Sequence, residues 1–412
     1  ILAERLIQAA DRGVRVRLLV DDINLAGRDA NVAAMDAHPT IEIRVFNPFA
    51  NRDARLFDFA FDLSRVNHRM HNKIMVMDNA VAIVGGRNIG NHYFDVATDA
   101  NFRDLDIAAA GPVVREVSNV FDHFWNGDWA VPIAALVDRP YTKADLREAR
   151  EFIRDSLVEQ DYPYPLDRDV AALNAELTAI RDQFIWAPGR IMWDDPAAIA
   201  DGIAEGAMVK ALFKKIQALR SELLIESAYF VTRDKAIEVV KELRGRGVRT
   251  RVLTNSLASN DVVAAHAGHA KRRKQLIEAG LELYEYRPDS RISKTRAYRG
   301  ESKAALHTKA IVFDRESVFI GSFNLDPRSA DINTEAGLFV ESPELARQVI
   351  EYMDEGVRPE NAYRVQLDED GELYWVTRVD GNEVRYTEEP ETTFGQRFMS
   401  GFIMILPVEH QL

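Results

Sequence analysis

The stretch NHRMHNKIMVMDNAVAIVGGRN (Asn67–Asn88) sets His71 and Lys73 two residues apart, followed by an acid at Asp78, a glycine at Gly85 and an amide at Asn88. The stretch ALHTKAIVFDRESVFIGSFN repeats them as His307, Lys309, Asp314, Gly321 and Asn324, each 236 positions beyond its counterpart. Residues i and i+2 of a strand face one side, so each imidazole projects together with its ammonium. Two such pairs, brought together across a pseudo-twofold axis, suit a phosphodiester. One neutral histidine can attack phosphorus while its partner, titrating near ~6.5, stays protonated for the leaving oxygen. Two lysines and the amides of Asn88 and Asn324 can hold the non-bridging oxygens. The route is covalent: a phosphohistidine forms, and an alcohol or water displaces it. Two histidines on one phosphorus titrate as a pair. Each also needs a carboxylate to fix its tautomer. Asp106 in DLDIAAAGP and Glu335 in NTEAGLFVESP are the candidates. Their spacing of 229 implies seven extra residues in the first copy.

Upstream of each motif, RGVRVRLLV (Arg12–Val20) is echoed by RGVRTRVLT (Arg246–Thr254). A long unit present twice indicates a duplicated domain and not a solenoid. Each copy reads as helix, strand, loop, hairpin and helix, with the first hairpin turning at Asp78-Asn79. The expected fold is α/β: two similar domains, each a mixed sheet flanked by helices. Residues 1–188 form the first domain with its connector, 189–355 the second, and 356–412 a small β appendage with an apolar tail. The connector is placed at Asp161–Pro165 (DYPYP) and at WAPGRIMWDDP (Trp186–Pro196). Strand-like LLIESAYFV (Leu223–Val231) precedes the second echo and has no counterpart before the first, so the natural chain is expected to be longer.

Bulk properties restrict function. The 412 residues are 47% apolar and 28% charged, an ordinary globular balance. A net charge of −13 argues against a dedicated nucleic-acid binder. With no cysteine there is neither disulfide nor thiolate metal site. No apolar run reaches the roughly 20 residues needed to span a bilayer. His68 with His71, and His266 with His269, have a spacing seen in metal sites, but neither pair has a third ligand, so no metal is expected. KRRK (Lys271–Lys274) reads as a solvated helix face or as a contact for anionic headgroups, extended by Arg287, Arg291 and Lys294. Tyr229 and Phe230 read as core. Phe394, Phe398, Met399, Phe402 and Ile405 recur at helical spacing, fitting either core packing or membrane docking.

The doubled HNKIMVMD…GGRN and HTKAIVFD…GSFN resembles the signature of the phospholipase D superfamily. Further stretches, among them VGGRNIGNHYF, RDLDIAAAGPVV, LASNDVVAAHAGHAKRRKQLIEAGLELYEYRP and GSFNLDPRSADINTE, are similar to bacterial cardiolipin synthases, in particular their C-type branch. Arg87 is read as replacing the serine of the common Gly-Ser-x-Asn form. The resemblance implies two phospholipase D-like domains, a site at their interface, and no cofactor or metal. His71, Lys73, Asp78, His307, Lys309 and Asp314 are then catalytic. His71 is assigned as nucleophile and His307 as general acid, with the reverse left open. Lys73, Asn88, Lys309 and Asn324 bind phosphate, and Asp106 and Glu335 orient the histidines. The implied reaction forms cardiolipin by phosphatidyl transfer from a second phospholipid, such as phosphatidylethanolamine, to phosphatidylglycerol. The alternatives are a hydrolytic phospholipase D and a nuclease on the same fold. The implied partners are phospholipids and a membrane surface, with a helper protein left open and no nucleic acid. The implied location is the periphery of the bacterial inner membrane, its leaflet undetermined.

Overall fold

The computed structural model describes residues 1–159, 169–200, 206–292 and 302–405. The expected connector at Asp161–Pro165, Lys294 of the basic patch and the tail from Leu406 onward lie outside the described residues. The first six strands are β1 (Val16–Asp21), β2 (Ile41–Phe46), β3 (Ile74–Met77), β4 (Val81–Gly85), β5 (Ala100–Arg103) and β6 (Asp106–Ala110). Then come β7 (Ala130–Pro132), β8 (Gly189–Trp193), β9 (Glu222–Ser227), β10 (Arg249–Asn255), β11 (Glu282–Tyr286) and β12 (Lys303–Leu306). The last are β13 (Lys309–Phe313), β14 (Ser317–Gly321), β15 (Ala336–Glu341), β16 (Ala362–Leu367), β17 (Leu373–Val379) and β18 (Asn382–Tyr386).

The chain forms two compact units that do not follow the repeat: residues 1–71 with 119–184, and residues 72–118 with 185–412. In the first unit, β1 and β2 run parallel and β7 lies antiparallel on β2. Ile41, Ile43 and Val45 alternate inward along β2 and meet Ile7 and Ala10 of the helix Leu2–Asp11. Glu4 is buried on that helix and paired with Arg150 and Arg154.

The second unit contains both hairpins. A ten-stranded mixed sheet runs in the order β18-β17-β16-β11-β10-β9-β13-β14-β15-β8. A three-stranded antiparallel sheet runs β3-β4-β6. A parallel pair joins β5 to β12. Ala82, Val84, Ala109, Val114 and Val117 from around the small sheet pack against Leu338, Val340 and Ile191 of the large one. The RIMW segment, expected as connector, is instead β8, paired antiparallel with β15 at the sheet edge. Its Met192 is buried, and that side chain makes the segment a strand rather than a linker. The β meander expected after Arg358 forms as β16–β18 and continues the large sheet through β11.

Two arginines expected in a surface patch lie inside instead. Arg273 of KRRK is buried on the helix Val263–Ala279 and bonds Glu285 at 2.8 Å and Glu389 at 2.7 Å. Arg287 is buried too, forked onto Asp289. The Arg273 guanidinium neutralises interior carboxylates, the Arg287 guanidinium a partly exposed one, and neither extends a surface patch. His269 bonds Glu285 at 3.2 Å, and His266 bonds Glu389 at 3.3 Å, so the pair belongs to this same buried network.

Candidate active site

Both motif hairpins reverse through left-handed residues, Asp78 and Asn79 in one and Asp314 and Arg315 in the other. The two motif acids then differ in setting. Asp314 accepts the backbone N–H groups of Arg220, Ser221 and Glu222, which fastens the turn to the start of β9 and holds its carboxyl below the usual range. Asp78 is exposed. Neither acid lies near its own motif histidine along the strand, since each sits at the opposite end of the hairpin.

Strand β5 sets the geometry around His307. It pairs in parallel with β12, with Arg103 opposite Leu306, so the next residues, Asp104 and His307, emerge side by side. The Arg103 carbonyl accepts the N–H groups of His307 at 2.8 Å and Thr308 at 3.1 Å, locking that register. Arg103 itself is buried against the Tyr352 ring at 3.6 Å. Asp104 Oδ2 then lies 2.7 Å from His307 Nδ1. An ionised carboxylate can only accept, so it favours a proton on Nδ1 and leaves Nε2 as the nitrogen that can take up or release a proton. Burial raises the Asp104 carboxyl to about 6, opposed first by the Lys309 ammonium. Lys309 is wholly buried; desolvation lowers it to about 8 while Asp104 and Glu335 hold its charge. Its Nζ donates to the His307 carbonyl at 2.6 Å and lies 2.9 Å from Nδ1.

The carboxylate on His307 is therefore Asp104, not Asp106. Asp106 Oδ2 accepts instead from Arg87 Nη1 at 2.8 Å, and Oδ1 from the Arg87 backbone N–H at 3.2 Å. Strand register explains the slip. Gly85 pairs with Asp106, and Gly321 with Gly337. Asp106 thus corresponds to Gly337, Asp104 corresponds to Glu335, and the first copy has five extra residues here, not seven. The same frame puts Gly86, not Arg87, at the position of Ser322. The Ser322 hydroxyl donates to Glu335, which is wholly buried. A Cβ at Gly86 would come within 2.4 Å of Asp104 Oδ1, and one at Gly85 within 2.0 Å of Asp106 Oδ1. The Gly-Gly of the first copy makes room for two carboxylates.

Of the remaining site residues, His71 is the last residue of the first unit and Lys73 lies just inside the second. The Lys73 charge favours ionised Asp104. Asn88 Nδ2 donates to the Tyr93 hydroxyl at 2.7 Å. Asn324 is buried, and its Oδ1 has no hydrogen-bond partner among the described residues. Sequence reasoning missed Asp104, Tyr93 and Phe102. Tyr93 and Phe102 flank the His307 ring at centroid distances of 4.9 and 5.4 Å. The available signal was the alternation Asp104-Leu105-Asp106, which leaves two carboxylates on one face and only register to choose between them.

A His/Lys motif that twice leads into a hairpin, with a carboxylate-held histidine and a buried lysine, defines a phospholipase D-type site. The family model described as "Cardiolipin synthase, PLD-like domain" matches residues 1–125 and 212–356, and the chain belongs to this family. Cardiolipin synthase C of Escherichia coli K12 is 39% identical across 99% of this chain and 87% of its own length. A Helicobacter pylori J99 protein is 30% identical over 99% of this chain and 80% of its own length. The crystal structure of a phosphatidylserine synthase from Haemophilus influenzae Rd KW20 superposes with a TM-score of 0.57 at 14% identity, covering 99% of this chain and 93% of the other, a likeness of fold. The protein is thus a phospholipase D-type enzyme among those of phospholipid biosynthesis.

Proposed function

We propose that this enzyme forms cardiolipin, transferring a phosphatidyl group from one phospholipid to a glycerol hydroxyl of phosphatidylglycerol. The observation that carries the reading is the Asp104–His307–Lys309 cluster, built on a motif that the chain repeats in full. His71 attacks phosphorus, and the leaving alcohol takes its proton from His307. The resulting phosphohistidine is opened by the incoming glycerol hydroxyl, whose proton returns to His307 Nε2. Lys73, Lys309, Asn88 and Asn324 stabilise the equatorial oxygens. Glu335 orients the partner histidine as Asp104 orients His307. Asp78 and Asp314 act on loop geometry.

A peripheral seat on the bacterial inner membrane suits this substrate. Among the described residues no helix is long and apolar enough to cross a membrane. The helix Phe394–Ile405 leaves Phe394, Phe398, Met399 and Phe402 exposed along one stripe, apolar surface of the kind that inserts at an interface. The test is a product analysis by mass spectrometry, with the full chain acting on phosphatidylglycerol vesicles with and without phosphatidylethanolamine. Diphosphatidylglycerol is the expected product. Phosphatidic acid alone would make the enzyme a hydrolytic phospholipase D, and an inert lipid pool beside DNA cleavage would make it a nuclease.

A further inference from the structure

The five extra residues of the first copy belong to the segment that carries Tyr93 and Phe102. Tyr93 ends the single 3₁₀ turn Asn91–Tyr93, and Phe102 lies on β5. Their rings touch each other at 4.8 Å, and both face the His307 imidazole, with Tyr93 edge-on at 85°. The Tyr93 hydroxyl lies 3.4 Å from His307 Nε2 and accepts from Asn88 Nδ2 at 2.7 Å. Since Nδ1 is bound to Asp104, Nε2 is the nitrogen that exchanges protons with substrate. Burial pushes the Tyr93 phenol up to about 12, so it keeps its proton and can donate it to Nε2 once that nitrogen has given its own proton to the leaving alcohol.

We propose that Tyr93 is a positioning residue that holds water off His307 Nε2, so that the covalent intermediate is opened by a lipid alcohol in preference to water. The inference rests on the transfer reaction above. In its second step the P–N bond to the nucleophilic histidine breaks, a P–O bond to the acceptor forms, and the acceptor proton passes to Nε2. Water and the glycerol hydroxyl compete for that role. In the resting site the phenolic hydroxyl, anchored by Asn88, fills the place at Nε2 that a water would take, while the two rings wall it in. A phosphatidylglycerol headgroup brings binding energy from the rest of the lipid and can displace the phenol. A lone water brings none.

The test compares the full-length wild type, Tyr93→Phe, Tyr93→Ala and Phe102→Leu on phosphatidylglycerol vesicles, reading the ratio of diphosphatidylglycerol to phosphatidic acid. Both products come from the same enzyme molecules, so the ratio is independent of the folded fraction. Tyr93→Phe should lower it by about tenfold, the worth of one hydrogen bond near the top of its usual range. Tyr93→Ala should lower it further, and Phe102→Leu in the same direction. A wild-type ratio in both Tyr93 variants, or a raised one, overturns the assignment and leaves the transfer reaction standing. A wild type that forms no diphosphatidylglycerol removes the transfer reaction and this inference with it.

Discussion

From the motif asparagine to the acid after it, the first copy takes 16 residues, Asn88 to Asp104, and the second takes 11, Asn324 to Glu335. The second copy fills the interval with a short helix, Pro327–Asp331, capped by Asp326. The first fills it with a 3₁₀ turn and β5, and β5 leaves its own hairpin to pair with β12 of the other copy. Matched positions therefore carry different duties. Ser322 donates to Glu335, whereas Gly86 clears space beside Asp104. Both strands of the second hairpin are buried, between β9 and β15, while those of the first stay half-exposed in a sheet of three strands. Duplication supplied two sets of chemical groups, and the longer interval of the first copy brings Asp104 and Tyr93 onto His307 of the second.

The largest effect is expected from neutralising the two neighbouring acids one at a time. Asp104→Asn should reduce kcat by about 10²–10⁴-fold, because the amide no longer favours the protonated Nδ1. Asp106→Asn loses only a partly exposed ion pair to Arg87 and should stay near wild type. Equal losses in steady-state assays of both would return the orienting role to Asp106.

The two glycine positions come next. Gly86→Ala puts a methyl against Asp104 and should cost up to about 10²-fold in kcat through misplacement. Ser322→Ala leaves a buried Glu335 oxygen short of a donor, and should appear as roughly 1–3 kcal/mol of lost stability in denaturant unfolding. Activity should also depend on pH at two limbs. Asp104 is raised to about 6 and must be ionised to accept Nδ1–H, so activity falls as pH drops through that value. Lys309 is lowered to about 8 and must be charged, so activity also falls as pH rises through it. These limbs belong to one coupled cluster. A kcat flat from pH 5 to 9, both figures being roughly a unit beyond those limbs, would remove the cluster from catalysis. The smallest effect is expected at the hairpin turns. Asp314→Ala should lose about 1–3 kcal/mol along with its backbone donors, and exposed Asp78→Ala should stay within about 0.5 kcal/mol, both read from thermal melts.

The order of residues alone settles the duplication, the α/β class, both hairpins and the doubled His-x-Lys motif. These rest on short-range physics: period-two side-chain alternation, turn residues that tolerate left-handed backbone, and a repeat at constant spacing. It also placed the apolar stripe Phe394, Phe398 and Phe402 on a helix, while leaving open whether that stripe is core or surface. The folded chain adds that these rings are exposed, that Arg273 and Arg287 are interior, and that Asp104 rather than Asp106 serves His307. The reason is distance along the chain. Asp104 and His307 are 203 residues apart, and they meet through the register of β5 on β12. A shift of one residue in that pairing would turn each side chain to the opposite face. Local patterning cannot encode such a choice, because it is made by the packing of both copies at once.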